Sequence, residues 1–184
     1  MELVHREDWG EFLTSLGLIG EAVEIGTHKA DLAVAILSKW HGTLHCVDPW
    51  AQLPEYAWAQ LPEYADETIT LRNRDIDYQT AMTRLAPFMD HCRIHRAKSE
   101  DVVGQFTDAS LDFVYIDGNH KSPWVDQDLE LWWPKVKPGG ILAGHDYINA
   151  AWPDVLKAVD AFVSKRHLSL SYRPEPWGEW WIVK

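Results

Sequence analysis

The run Ala22-Val23-Glu24-Ile25-Gly26-Thr27-His28-Lys29-Ala30-Asp31-Leu32-Ala33-Val34-Ala35-Ile36-Leu37 decides the fold. Its first part is short, apolar and ends in glycine, the pattern of a buried strand, and the part from Asp31 onward reads as a helix. Thr27 to Ala30 make a tight turn between them. Further on, Thr43-Leu44-His45-Cys46-Val47 reads as a second buried strand and ends in Asp48. A strand, a tight turn, a helix and then an acid closing the next strand open a nucleotide-type site. The turn brings backbone close to a ligand, and the acid is placed to hold ribose hydroxyls. A dinucleotide fingerprint uses three glycines to let backbone approach a pyrophosphate; here only Gly26 is kept, with His28 and Ala30 at the other two positions. Such a loop favours a nucleoside ligand without phosphate.

Outward from this stretch the chain alternates strand and helix. Strand patterns fall at 21–26, 43–48, 92–96, 111–117, 141–145, 168–173 and 180–183, and helical patterns at 30–40, 75–87, 99–104, 123–135 and 153–166. Alternation with apolar strands predicts a mostly parallel sheet covered by helices on both faces. Pro138-Gly139-Gly140 reads as a sharp turn into the fifth strand. Only Pro174 to Glu179 separates the last two strands, too short for a crossover helix, so they should form an antiparallel hairpin. The expectation is α/β: a three-layer α/β/α sandwich on a seven-stranded, mostly parallel sheet with an antiparallel C-terminal strand.

The 184 residues read as one domain. Residues 1–19 form an N-terminal helical segment with Trp9, Phe12, Leu13 and Leu16 on one face. Residues 49–75 are an insertion loop, in which Trp50-Ala51-Gln52-Leu53-Pro54-Glu55-Tyr56-Ala57 recurs as Trp58 to Ala65. The duplication is either a neutral lengthening of a surface loop or an aromatic lid over substrate.

A formal charge of −11, with no basic cluster, argues against a nucleic-acid partner. Cys46 and Cys92 sit in apolar runs and read as buried free thiols rather than a disulfide framework. The opening residues are too polar for a signal peptide, and no apolar run reaches membrane-spanning length; the expectation is a cytoplasmic protein without a membrane partner.

Ligands of open α/β sheets bind outside the carboxyl ends of the strands. The polar residues there are Glu24, Gly26, Asp48, Asp117 with Asn119 and His120, and His145 with Asp146; Lys98-Ser99-Glu100 adds a further turn. Asp117 and Asp146 end strands that should be neighbours. Two carboxylates so placed need a cation or a shared proton.

Val23-Glu24-Ile25-Gly26, Cys46-Val47-Asp48, Ala97-Lys98-Ser99-Glu100, Tyr115-Ile116-Asp117-Gly118-Asn119-His120 and Lys137-Pro138-Gly139-Gly140-Ile141-Leu142-Ala143-Gly144-His145-Asp146-Tyr147 together resemble class I S-adenosylmethionine-dependent methyltransferases. Within that class they are most similar to small bacterial macrocin and catechol-type O-methyltransferases. The resemblance covers about residues 20 to 183 and implies the Rossmann-like fold and S-adenosylmethionine as cofactor. It places Glu24 and Gly26 along the methionine side, Asp48 on the ribose and Ser99 and Glu100 near adenine, and adds Thr27, His28 and Asp117 to the cofactor-binding residues. Relatives hold Mg²⁺ at the ends of the fourth and fifth strands, so it implies a divalent metal on Asp117, His145 and Asp146. His145 departs from the acid or amide found there in relatives, and an imidazole moves the preference toward Mn²⁺, Fe²⁺ or Zn²⁺. Catechol-type enzymes carry a lysine three residues after the first acid; here His120 has that position and becomes the candidate base, with Asp117 and His145 as its catalytic company.

The expected activity is O-methylation of a small hydroxylated molecule. Trp50, Trp58, Trp124 and Trp152 near the expected mouth suggest a flat or sugar-like acceptor, and a homodimer could complete its pocket. Competing readings are a nicotinamide-dependent oxidoreductase, disfavoured by the missing glycines, a metal-dependent hydroxylase, and a cofactor-binding protein without catalysis.

Overall fold

The computed structural model describes residues 5–51, 74–174 and 177–184. Among these, seven strands form one sheet: β1 (Glu21–Ile25), β2 (Thr43–Val47), β3 (Cys92–His95), β4 (Leu111–Ile116), β5 (Val136–Gly144), β6 (Leu170–Arg173) and β7 (Glu179–Val183). Their spatial order is β3-β2-β1-β4-β5-β7-β6. Strands β3 through β5 in that order pair in parallel, whereas β7 runs antiparallel to both β5 and β6. A 3₁₀ turn (Arg6–Asp8) leads into helix α1 (Trp9–Ser15), followed by α2 (Asp31–Leu37), α3 (Arg74–Leu85), α4 (Ser99–Val102), α5 (Trp124–Trp132) and α6 (Pro153–Arg166). The architecture is a three-layer, Rossmann-like α/β/α sandwich.

Alternation along each strand builds the two cores. Ala22, Leu44, Cys46, Phe113, Tyr115 and Ala143 face one way and pack with Trp9, Leu13, Ile36 and Leu85 of α1, α2 and α3. Val23, Ile25, Val47, Val114, Ile116 and Leu142 face the other way, against Val125, Leu129, Val159 and Phe162 of α5 and α6. The order reverses at β1, whose neighbours are β2 on one side and β4 on the other. This is the switch point outside which an α/β sheet opens a crevice.

The strand boundaries follow the sequence pattern closely, with one correction. Pro138-Gly139-Gly140 does not form a turn before β5; it lies within β5, which starts at Val136. The pairing with β4 changes register between Leu111 and Phe113, and Gly139 has φ +79 while its N–H donates to the Lys184 carbonyl at 2.8 Å. Turn-type residues here make a bulge, a local extra length that keeps the strand continuous.

Trp50 is also placed differently from the expectation. It is 2% exposed and belongs to the α1–α3 core, where its indole N–H donates to the His28 carbonyl at 2.7 Å and its ring meets Tyr78. Trp58, most of the 49–75 segment and the reading of its repeat as a lid lie outside the described residues. Cys46 and Cys92 are buried free thiols with Sγ atoms 3.8 Å apart. No helix among the described residues is long and apolar enough to cross a membrane.

Candidate active site

The loop after β1 is held by backbone. Gly26 N–H donates to the Val47 carbonyl at 2.8 Å, and Gly26, His28 and Ala30 have φ of +87, +51 and +65. The positions occupied by His28 and Ala30 thus keep a left-handed backbone that glycine ordinarily supplies. A β-carbon at Gly26 would overlap the Asp117 carbonyl and stand 2.8 Å from Gly118 N, so β1 and β4 can meet here only at glycine. Asp48 fastens the loop to the end of β2: its Oδ2 accepts the His28 N–H at 2.9 Å and its Oδ1 the Trp50 N–H at 2.7 Å. Burial nonetheless leaves its carboxyl above the ordinary range. The His28 ring turns to α3, with Nε2 3.4 Å from Asp77 Oδ2, so His28 offers the crevice its backbone.

Glu24 is 2% exposed, and no hydrogen bond among the described residues reaches its Oε2. Burial pushes its carboxyl up to about 8, against the opposing pull of the Arg6 charge. The Thr27 hydroxyl and Asn119 Nδ2 are likewise buried without a hydrogen-bond partner among the described residues. Arg6 enters from the N-terminal turn. One of its guanidinium nitrogens, Nη2, pairs with Asp117 Oδ2, and the group lies 5.4 Å from the centre of the Tyr115 ring. Burial disfavours its charge, but Tyr115, Asp117, Glu24 and Glu179 hold the proton on. Sequence spacing gave no sign of Arg6, since 111 residues separate it from Asp117.

Asp117 and Asp146 follow the paired ends of β4 and β5, as expected. His120 stands between them, its Nε2 3.1 Å from Asp117 Oδ1 and 3.0 Å from Asp146 Oδ2. Burial alone would drive the imidazole proton off; the two carboxylates outweigh it and raise the pKa to about 9. Against their burial, Arg6 and then His120 hold Asp117 below the ordinary carboxylate range, and His120 with His145 does the same for Asp146. One ligand atom each from Asp117, His120 and Asp146 lies within 4.8 Å of the others, a spacing that can share one cation. Among the described residues the grouping that can share a cation takes His120, whereas the resemblance implies His145 as the third ligand. His145 is buried with Nδ1 3.3 Å from Asp146 Oδ2 and its ring edge-on to Trp177. Trp152 stacks on His120 at 5.3 Å, which does place this tryptophan at the site.

Ser99 caps a different contact. Its hydroxyl donates to Asp128 Oδ1 and accepts the Trp132 indole N–H at 2.7 Å, joining α4 to α5. Burial pushes the Asp128 carboxyl up to about 7. Glu100 is exposed and accepts from Gln127 Nε2 at 2.6 Å.

A family model described as a methyltransferase domain matches residues 23–147. Among solved structures, an O-methyltransferase from Bacillus cereus in complex with SAH is similar at TM-score 0.71 and 11% identity, covering 100% of this chain and 83% of that one. TomG, the Streptomyces achromogenes O-methyltransferase involved in tomaymycin synthesis and solved with SAM, is similar at TM-score 0.67 and 14% identity, covering 98% and 81%. A methyltransferase from Geobacter sulfurreducens follows at TM-score 0.62 and 14% identity, covering 98% and 79%. At these identities the likenesses establish the fold. No curated protein sequence matches the chain.

Proposed function

Given that the chain belongs to the methyltransferase-domain family, we propose that it moves a methyl group from S-adenosylmethionine to an oxygen of a small hydroxylated molecule. The observation that carries this reading is the unsatisfied polar lining at the β1–β4 switch point. Glu24 Oε2, Thr27 Oγ1 and Asn119 Nδ2 are buried there without partners among the described residues, beside the Asp117–His120–Asp146 cluster. Buried polar atoms are costly to leave unmade, so a polar ligand fits this lining better than an empty crevice does.

The cofactor would bring a sulfonium-activated methyl; the protein has to orient the acceptor and remove its proton. Glu24 takes the ammonium of the methionine end. Asp48 keeps a second lone pair on each oxygen after serving His28 and Trp50, and these receive ribose hydroxyls. Ser99, committed to Asp128 and Trp132, shapes the adenine side through the position of α4.

The cluster fits a divalent cation: two carboxylate oxygens and an imidazole nitrogen converge, and the nitrogen favours Mn²⁺, Fe²⁺ or Zn²⁺ over Mg²⁺. A cation here would lower the pKa of an acceptor hydroxyl and fix its approach. When no cation holds its nitrogen, His120 is the proton acceptor, with a condition attached. While Asp117 and Asp146 both face it, the imidazole keeps its own proton to about pH 9, so base action near neutrality requires a carboxylate to take another partner. His145 orients Asp146. The aromatic wall made by Trp152 at the edge of the cluster favours a flat or sugar-like acceptor.

Calorimetric titration of S-adenosylmethionine and S-adenosylhomocysteine into chelator-treated protein, with and without Mn²⁺ or Mg²⁺, tests the reading. Binding of both ligands is expected; binding of neither under any condition would remove it. His120→Ala should then lose turnover at unchanged cofactor affinity.

A further inference from the structure

We propose that Arg6 is the receptor for a carboxylate, and that with Glu24 it recognises the α-amino-acid end of the cofactor. The inference rests on the S-adenosylmethionine reading above and assigns a binding residue to a segment outside the matched residues 23–147.

Arg6 offers more than its pairing with Asp117 uses. Nη2 is committed to Asp117 Oδ2, whereas Nε is buried with no hydrogen-bond partner among the described residues. Glu24 presents the reverse deficiency, a buried carboxylate oxygen without a donor. Each of the two feels the other's charge, yet among the described residues they form no ion pair. A lone buried acceptor and a half-used guanidinium fork, each within reach of the other's charge, are unfavourable when left so. A zwitterion satisfies both together, its ammonium on Glu24 and its carboxylate on the planar fork of Arg6, the geometry arginine matches best.

The alternative, that Arg6 is only a counter-ion for Asp117, leaves its Nε unexplained. Asp117 already has an opposite partner in His120 at 3.1 Å. The position of Arg6 is also built rather than accidental. Three residues further on, Trp9 is fully buried, with its indole N–H 3.1 Å from Glu179 Oε1 and its ring against Phe113. That anchor fixes the turn ahead of it, so little is lost in ordering the fork on binding.

The test compares S-adenosylhomocysteine with its decarboxylated analogue, which keeps the amine and lacks the carboxylate, by calorimetry on the whole chain. Unaltered protein should prefer S-adenosylhomocysteine by about tenfold or more, the worth of a charge-assisted contact. Arg6→Met should lose that preference, binding S-adenosylhomocysteine more weakly and the analogue as before. Arg6→Lys, which keeps charge without the fork, should fall between and serves if Arg6→Met does not fold. An Arg6→Met protein that weakens both ligands equally, or neither, overturns the proposal while leaving the cofactor reading in place. Failure of the unaltered protein to bind either ligand overturns the cofactor reading itself and the proposal with it.

Discussion

The backbone of Gly26 lies so close to the carbonyl of Asp117 that no β-carbon fits between them. This contact sets the distance between the loop after β1 and the acid after β4. Gly26→Ala must open it, and must also hold an alanine at φ +87. The expected cost is about 3 kcal/mol or more, from overpacking and backbone strain together. Denaturant unfolding checks this, and an unchanged midpoint would refute the close approach.

The imidazole of His120 should keep its proton well past neutrality. Its pKa is about 9 against an ordinary 6.5, so the stability it contributes is complete below 6.5 and lost as pH rises through about 9. Asp146→Asn removes one of the two carboxylates and should bring the pKa down by about one unit or more. A titration followed by NMR of the ring protons reads this directly. Mn²⁺ should shift the same curve downward if it takes the carboxylates.

Asp128 behaves in the same sense for a different reason. Its carboxyl is raised from 3.8 to about 7 by burial, so its contribution is complete below 3.8 and disappears as pH passes about 7. Asp128→Asn imitates the protonated form and can still accept from Ser99. It should stabilise the protein at pH 8 by on the order of 3 kcal/mol, with little difference near pH 4. Melting curves across this range decide the matter; equal gains at both ends would rule out the linkage.

Trp9 separates volume from hydrogen bonding. Trp9→Ala should cost about 3 to 5 kcal/mol by emptying a fully buried site. Trp9→Phe keeps most of the packing and leaves one acceptor of Glu179 with Tyr115 as its donor, at a cost of about 1 to 2 kcal/mol. Comparable losses in the two variants would mean that the hydrogen bond, not the packing, holds α1.

The strands and the order of the site were legible because they are local: apolar runs of the right length end in acids, and the short 174–179 connection forces a hairpin. The misreadings share a cause. Pro138-Gly139-Gly140 has turn composition, and only the partner strand shows that it is a bulge. Trp50 follows Asp48 at the site edge, yet a left-handed backbone, φ +41, accompanies its burial in the core. His145 adjoins its acid in sequence and His120 lies three residues from its own, yet it is His120 that stands between the acids after β4 and β5. Arg6 had no local signal at all.

The bond from Trp9 to Glu179 spans 170 residues, nearly the whole sequence. Glu179 opens β7, the strand inserted between β5 and β6. Contacts so distant along the chain are entropically late to form. One anchor of the turn bearing Arg6 therefore forms only after β7 has entered the sheet. A fragment cut before β7 would keep the loop after β1 and the acids after β4 but would hold the guanidinium beside them without the Trp9–Glu179 anchor. On the Arg6 proposal, affinity for the amino-acid end of a ligand would then report whether β7 has joined the sheet.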